Sequence, residues 1–281
     1  MSNLPEKALL AKLSISQWTA RKFDRNATAS TINHYNAERE AGRFHKQLVS
    51  KSSLKDISQT VNLARKYFYQ NTLPWSDEGW RILPTKHHME FMAKMREYEN
   101  RFESDVRVFL DDYSSEIVDA QLRLGGMFNH ADYPAASKIG EKFRIGTMLA
   151  PIPEENDIRV NLGTAEIDRI RNQVTSRVKQ AEEAATADLY GRMTEVLRNM
   201  VDRLTADKPI FRDTLVTNIT ELVELIPKLN VTMDARIEKM RRQIKAALEG
   251  IDPQNLREDD GLRKKAAESA EEIMKKMKGL F

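Results

Sequence analysis

The chain has 281 residues, 31% of them charged, no cysteine and a net charge of only +3. That length holds one large domain or two modest ones, and it buries a sizeable core without covalent staples. The missing thiols exclude disulfides, thiolate metal centres and cysteine nucleophiles, and they suit a reducing cytoplasm.

Glycine is scarce while Ala, Leu, Glu, Lys, Arg and Met are plentiful, a composition that favours long helices. No stretch approaches the roughly 20 apolar residues of a membrane span. The opening MSNLPEKALLAKLS carries Glu6 and no apolar run of signal-peptide length, so a cytoplasmic, non-membrane protein is expected. Charge is unevenly spread. Residues 1–86 carry 14 Lys/Arg against 7 Asp/Glu, and residues 87–162 carry 9 against 14. Residues 163–227 carry 9 against 11, and residues 228–281 carry 13 against 10. Basic ends and an acidic middle suit either a polyanion or a neighbouring subunit's acidic segment.

In chain order, Leu9 to Thr19 alternates (Ala11, Leu13 and Ile15 against Lys12, Ser14 and Ser16) and reads as a strand. Thr28 to Val49 is polar with sparse apolar positions (Ile32, Tyr35, Phe44, Leu48), the pattern of a solvated helix. Ser53 to Tyr69 keeps helical spacing through Leu54, Ile57, Val61, Ala64 and Phe68. Asn71 to Pro84 reads as a loop. The first long helix runs from His87 to Leu124 on Phe102, Val106, Phe109, Tyr113, Ile117, Ala120 and Leu124, and Gly125-Gly126 ends it. GMFNHADYP is a turn, and Ala135 to Lys142 reads as one or two helical turns. Phe143 to Ala150 and Asp157 to Leu162 alternate as two strands about a PIPEEND hairpin, able to join the N-terminal strand.

Thr164 is placed to cap the second long helix, whose Ile167, Ile170, Val174, Val178, Ala181, Ala185, Leu189, Met193, Val196, Met200 and Leu204 follow coiled-coil spacing. Pro209 opens a helix through Phe211, Leu215, Ile219, Leu222 and Ile226 that Pro227 stops. Thr232 to Glu249 gives another. A last helix, from about Gly261 to Lys278, has a narrow stripe (Leu262, Ala266, Ile273, Met277) suited to loose docking. The expected fold is mainly α (α+β), with the two long helices as an antiparallel spine and a small antiparallel sheet. Its expected parts are a basic, aromatic-rich region 1–86, a helical hairpin with sheet 87–206, and C-terminal helices 207–281.

Signatures of catalysis are missing: no P-loop, no G-x-G-x-x-G after a strand, no H-E-x-x-H. His87-His88 with Glu90, and His130 with Asp132, fall short of the three or four converging ligands a metal needs. Asp111-Asp112 and Glu154-Glu155 are neighbours whose side chains diverge on a helix, so they read as solvated surface. Met193, Met200, Met240, Met274 and Met277 sit at helical spacing and read as core. No catalytic residue, metal or cofactor is expected.

The informative stretch is the N-terminal third, which holds all three tryptophans and 9 of the 20 aromatics. Aromatic and basic residues interleave at Trp18, Arg21, Lys22, Phe23 and Arg25. They do so again at Arg65, Lys66, Tyr67, Phe68 and Tyr69, running on to Trp75, Trp80, Arg81 and Lys86. Single-stranded nucleic acid asks for both ingredients, cations for phosphates and ring faces for unpaired bases. The expected stacking residues are Trp18, Tyr67, Tyr69, Trp75 and Trp80. The expected phosphate contacts are Arg21, Lys22, Arg25, Lys66, Arg81 and Lys86. The competing structural reading has Trp75 and Trp80 pinning a loop to the body and the basic segment balancing acidic helices. Helix-turn-helix, zinc-finger and basic-zipper patterns are missing, which disfavours duplex readout.

The segments ISQWTARKFD, NTLPWSDEGWRILP and GMFNHADYP, set between long charged helices, give the chain a resemblance to helical single-stranded DNA-binding cofactors of podovirus-type tailed phages that encode their own RNA polymerase. The resemblance implies a protein of the host cytoplasm that holds locally melted promoter DNA and brings the phage RNA polymerase to it. It also implies a fold unlike the five-stranded barrel of many single-strand binders, whose many short strands this sequence lacks. The expectation is therefore a non-enzymatic single-stranded DNA-binding protein that forms a homo-oligomer through its long helices. A helical scaffold without nucleic-acid affinity is the alternative.

Overall fold

The structure is a computed structural model that describes residues 4–76, 78–158, 162–206, 211–248 and 250–278. It is 67% helical with small antiparallel sheets, the mainly α, α+β class that the composition predicts. The first elements are α1 (Leu4–Lys7), β1 (Ala8–Ser16), β2 (Arg21–Phe23), α2 (Arg25–His34), β3 (His45–Gln47), α3 (Lys55–Gln70), β4 (Leu73–Pro74) and β5 (Trp80–Pro84). Then come α4 (His88–Leu124), α5 (Ala136–Gly140), β6 (Arg144–Pro151), α6 (Thr164–Leu204), α7 (Thr214–Leu229), α8 (Ala235–Leu248), α9 (Pro253–Glu258) and α10 (Asp260–Lys278). The main sheet has strand order β4-β5-β1-β6, and β2 pairs with β3 separately.

The chain divides into two compact units. Unit 1 comprises residues 1–12, 69–91 and 149–281, and unit 2 comprises residues 13–68 and 92–148. Both are discontinuous in sequence: of the segments 1–86, 87–206 and 207–281, unit 1 draws on all three and unit 2 on the first two.

Unit 1 is built on α6. Its stripe from Val178 to Leu204 is buried, and α7, α8 and α10 pack along it. The expected partner for this stripe was the first long helix; α10 takes that place instead. Ala266, Ala267 and Ala270 let α10 approach closely, and Ile273 and Met277 complete its buried face, so this helix is docked rather than loose. Pro227 does not stop α7, which runs on to Leu229. Gly163, not Thr164, occupies the N-cap of α6. Met233, expected inside a helix, is exposed with φ at +52° in the turn before α8.

The segment 71–84 is not a plain loop. β4 and β5 form an antiparallel pair with Leu73 opposite Ile82, and β5 pairs onward with β1, Leu10 opposite Ile82 and Lys12 opposite Trp80. Apolar Leu73, Ile82 and Leu83 are fully buried, which overrides the turn signal of the flanking prolines. The strand expected at Asp157 to Leu162 is absent at Asp157, Ile158 and Leu162, and residues 159–161 lie outside the described residues, as does Pro209.

Unit 2 packs α3 and most of α4 around an aromatic core. Ile57, Val61, Ala64 and Phe68 of α3 and Phe102, Val106, Phe109, Tyr113, Ala120 and Leu124 of α4 are buried, the stripes that periodicity marks. Phe143 stacks edgewise on Phe102 and Phe109 at 6.4 and 5.9 Å. Each fully buried aromatic contributes about 1.5–3 kcal/mol by area, with a further increment for ring pairs. Gly125, at φ +50°, turns the chain out of α4. The solvated helix expected over Thr28 to Val49 is shorter. It starts at Arg25 on an Asp24 cap that accepts from Ala27 N–H, and ends at His34. Asn36 turns at φ +47°, and the chain returns as β3. Too few apolar side chains exist here to bury a longer helix.

Candidate nucleic-acid interface

The eleven residues singled out from sequence divide between the two units. Trp18, Arg21, Lys22, Arg25, Lys66 and Tyr67 belong to unit 2, and Tyr69, Trp75, Trp80, Arg81 and Lys86 belong to unit 1.

Trp18 is no stacking platform. It is 8% exposed, with its ring 6.1 Å from Phe109 and edge-on to Tyr113 at 5.9 Å. Its large apolar surface is worth more in that core than in water. Trp75 and Trp80 are half-buried against the core of unit 1, with Arg177 over Trp75 at 5.6 Å and Lys12 over Trp80 at 5.8 Å. Cations of the fold itself lie over their ring faces, in keeping with the pinning role weighed from sequence. Arg81 is likewise committed. Its Nε donates to Thr72 Oγ1 at 2.7 Å, and its guanidinium lies 4.9 Å from the Tyr69 ring. Burial first, and Arg192 beside it, lower the pKa of Arg81 against the opposing pull of Asp188. Arg192 donates to the carbonyls of Tyr69, Gln70 and Thr72 and pairs with Asp188 at 2.7 Å, tying down the end of α3. In α3, Phe68 is buried while Tyr69 is exposed, so the consecutive rings diverge as helical geometry requires. Tyr67 packs near Tyr98 at 5.9 Å. Lys66 and Lys86 are exposed.

What remains concentrated is the segment from β2 to β3. Residues 21–47 hold six Lys/Arg against three Asp/Glu. Helix α2 buries none of its residues, and from Arg21 to His45 no side chain is fully buried. Tyr35 is 74% exposed, and Phe23 and Phe44 are each 39% exposed. Phe23 lies 5.7 Å from His45 across the β2–β3 pair, and Tyr35 is edge-on to His34 at 4.8 Å. Arg21, Arg25, Arg39 and Arg43 are exposed and form no ion pair among the described residues, while Lys22 lies 3.9 Å from Asp132. Phe23, Tyr35 and Phe44 belong to the aromatics of the N-terminal third but are not among the eleven residues singled out above. Nor are Arg39 and Arg43. The available signal was the polar, weakly periodic stretch after Arg25, which had no use for its rings as core.

A small set of polar contacts holds this exposed segment in shape. Thr28 Oγ1 donates to Asp24 O at 2.7 Å and accepts from Phe44 N–H at 2.9 Å, and Asp24 N–H donates to Phe44 O at 3.0 Å. Below them Lys46, 6% exposed, reaches Asp24 at 3.2 Å and Asp132 at 2.8 Å, and donates to Met127 O at 2.6 Å. Burial pulls the Lys46 ammonium down, but hydrogen bonds to Asp132 and Asp24 outweigh it and leave its pKa raised. The Ala27 N–H and Lys46 hold Asp24 below the usual carboxylate range. The chain therefore neutralises the one buried cation of the segment and leaves the outer ones to solvent.

The histidine clusters are engaged elsewhere. His87 is buried with Nε2 2.7 Å from Asn71 Oδ1 and Nδ1 3.3 Å from Glu90, and Asp132 serves Lys46. Among the described residues no three His, Asp or Glu side chains converge as a metal site, and no helix is long and apolar enough to cross a membrane. Compared with models of known families, with curated proteins and with solved structures, the chain matches none.

Proposed function

We propose that the protein binds single-stranded DNA without catalysing a reaction, through the β2–α2–β3 segment. The observation that carries this reading is the exposure of Phe23, Tyr35 and Phe44 among Arg21, Lys22, Arg25, Arg39 and Arg43 on a helix and ribbon that bury almost nothing. Exposed apolar rings cost the isolated fold, and an apolar patch rimmed by charge marks a contact surface. Cations beside it favour a polyanion, and ring faces favour unpaired bases. Of the residues expected from sequence, Arg21, Lys22 and Arg25 stay in this proposal. Trp18, Trp75, Trp80 and Arg81 leave it, being committed to the fold. In the setting implied by the phage resemblance, the bound strand is melted promoter DNA and the protein partner is the phage RNA polymerase.

The test is anisotropy of a labelled oligo-dT strand, beside a duplex of equal length, across a salt series. Five phosphate contacts give a slope of log affinity on log salt of about −3.5 for a single strand. Tyr35→Ala is expected to weaken binding about 5- to 150-fold, the range of one stacked base. No binding at low salt refutes the reading.

A second reading, a helical scaffold that self-assembles, is favoured by one observation. Ile167, Ile170 and Val174 continue the coiled-coil spacing of α6 yet are only half-buried. Sedimentation of the wild type against Ile170→Lys decides it; a homo-oligomer built on this stripe shifts to monomer.

A further inference from the structure

The β2–α2–β3 segment also encloses a surface cavity of about 420 Å³. Its walls are Thr28 and Ile32 of α2, Ala41 of the returning loop, and Arg43 and Phe44 before β3, with Tyr35 at the end of the helix. That volume falls within the range of small-molecule sites, about 300–1,000 Å³. From these walls we infer that the cavity is a slot for one extruded nucleobase of the bound single strand, held chiefly by its faces. This rests on the single-stranded DNA reading above and deepens it.

Three features argue for that occupant. The walls are mostly apolar, and two of the lining residues, Tyr35 and Phe44, are aromatic and exposed, so a planar ring entering between α2 and the loop meets π-faces. Arg43 lines the same cavity and has no ion pair among the described residues, and Arg39 lies on the loop that closes it, so phosphates flanking an extruded base find cations. The two threonine hydroxyls of the wall have no hydrogen left to offer. Thr28 Oγ1 donates to Asp24 O, and Thr31 Oγ1 donates to Ala27 O at 2.8 Å. The side-chain donors left to a base are therefore the Tyr35 hydroxyl and the Arg43 guanidinium, both at exposed residues of the wall. The loop is preset rather than formed on binding: Ala37 N–H donates to Ile32 O at 3.0 Å, Ala41 N–H to Glu38 O at 2.9 Å, and Phe44 N–H to Thr28 Oγ1.

The experiment compares oligo-dT with an abasic strand of equal length and equal phosphate count, for the full-length wild type, Tyr35→Ala, Phe44→Ala and Ala41→Leu. The last variant fills the slot from its wall and leaves every cation in place. The slot predicts that the abasic strand binds the wild type at least about fivefold more weakly than oligo-dT. Each variant lowers oligo-dT affinity toward that abasic level and leaves abasic binding unchanged. Equal wild-type affinity for both strands overturns the slot and leaves phosphate binding by the segment standing. Preference for oligo-dT that survives all three variants overturns it too, by placing the stacked base elsewhere. No binding of either strand removes the slot together with the single-stranded DNA reading.

Discussion

Lys46 is the buried pin of the proposed interface, and Lys46→Met tests whether the charge holds it. Methionine keeps the length and apolar stem of the side chain but leaves Asp24 and Asp132 facing each other, with the Met127 carbonyl unsatisfied. Removing one partner of a buried ion pair costs about 3–5 kcal/mol when the other charge is stranded. Here the carboxylates retain 11% and 13% exposure, and Asp24 keeps its bond from Ala27 N–H, so the lower end, about 3 kcal/mol, applies. With an unfolding entropy of about 2.1 cal/mol/K per residue, that lowers Tm by about 13 °C if unit 2 melts alone and about 5 °C if the whole chain melts together. Differential scanning calorimetry reads both the shift and the number of transitions. Adding Asp132→Asn to Lys46→Met relieves part of the repulsion and restores part of the loss. The pH dependence has two limbs. Asp24, with its pKa lowered in the fold, contributes stability above its ordinary 3.8 that is lost as pH falls through the folded value. Lys46, with its pKa raised, contributes below its ordinary 10.5 and loses that contribution as pH rises through the folded value. Lys46→Met removes the alkaline limb and shrinks the acid one. A Tm within 1 °C of wild type for Lys46→Met refutes the reasoning.

Other outcomes follow from the packing. Trp18→Ala opens a cavity beside Phe109 and Tyr113 and costs about 3–5 kcal/mol in urea unfolding. Under conditions where that variant stays folded, its affinity for oligo-dT equals wild type. Arg192→Ala leaves three carbonyls at the end of α3 and Asp188 without their guanidinium and costs about 1.5–3 kcal/mol by the same measurement. Burial lowers the pKa of His87 in the folded protein, so the unfolded chain binds the extra proton first. Stability therefore falls as pH drops from the ordinary 6.5 toward the folded value and levels off below it, and His87→Gln abolishes that limb in a pH series of melting curves.

The helices were legible because their apolar residues recur every three or four positions. Most of the stripes of α3, α4 and α6 read from sequence are buried, from Ile57 to Phe68, Phe102 to Leu124 and Val178 to Leu204, while Leu54, Ile117, Val196 and the Ile167–Val174 end of α6 are half-buried. Which helix covers which was not legible. Nothing in periodicity says that α10, with its alanines, closes on α6, because partner choice depends on surface shape rather than on spacing. β4 and β5 were hidden by Pro74, Pro84 and the polar residues between, since a strand of two or five residues carries almost no periodic signal. The interface was half legible. The sequence places aromatic rings beside cations, but whether a ring faces core or water is decided by long-range contacts. Trp18 meets residues of α4 far along the chain, whereas Tyr35 and Phe44 line a surface cavity with residues of their own β2–α2–β3 segment.

The interleaving of the two units also sets an order of assembly. Translation delivers the chain from its N-terminus. Ala8, Leu10 and Ala11 of β1 arrive first, and the strand that pairs with them, β5, follows only at Trp80–Pro84. Every residue of unit 2 has been made by Met148, before any of α6 to α10. Unit 2 can thus close its aromatic core while unit 1 still waits for the helices that cover Leu10, Leu73 and Ile82. For that interval the growing chain presents an apolar sheet face with no lid, the state in which a slow or stalled ribosome exposes it to aggregation. The helices that contact β4 and β5 are α6 and α7, so the exposure ends only once these later elements have been made and docked.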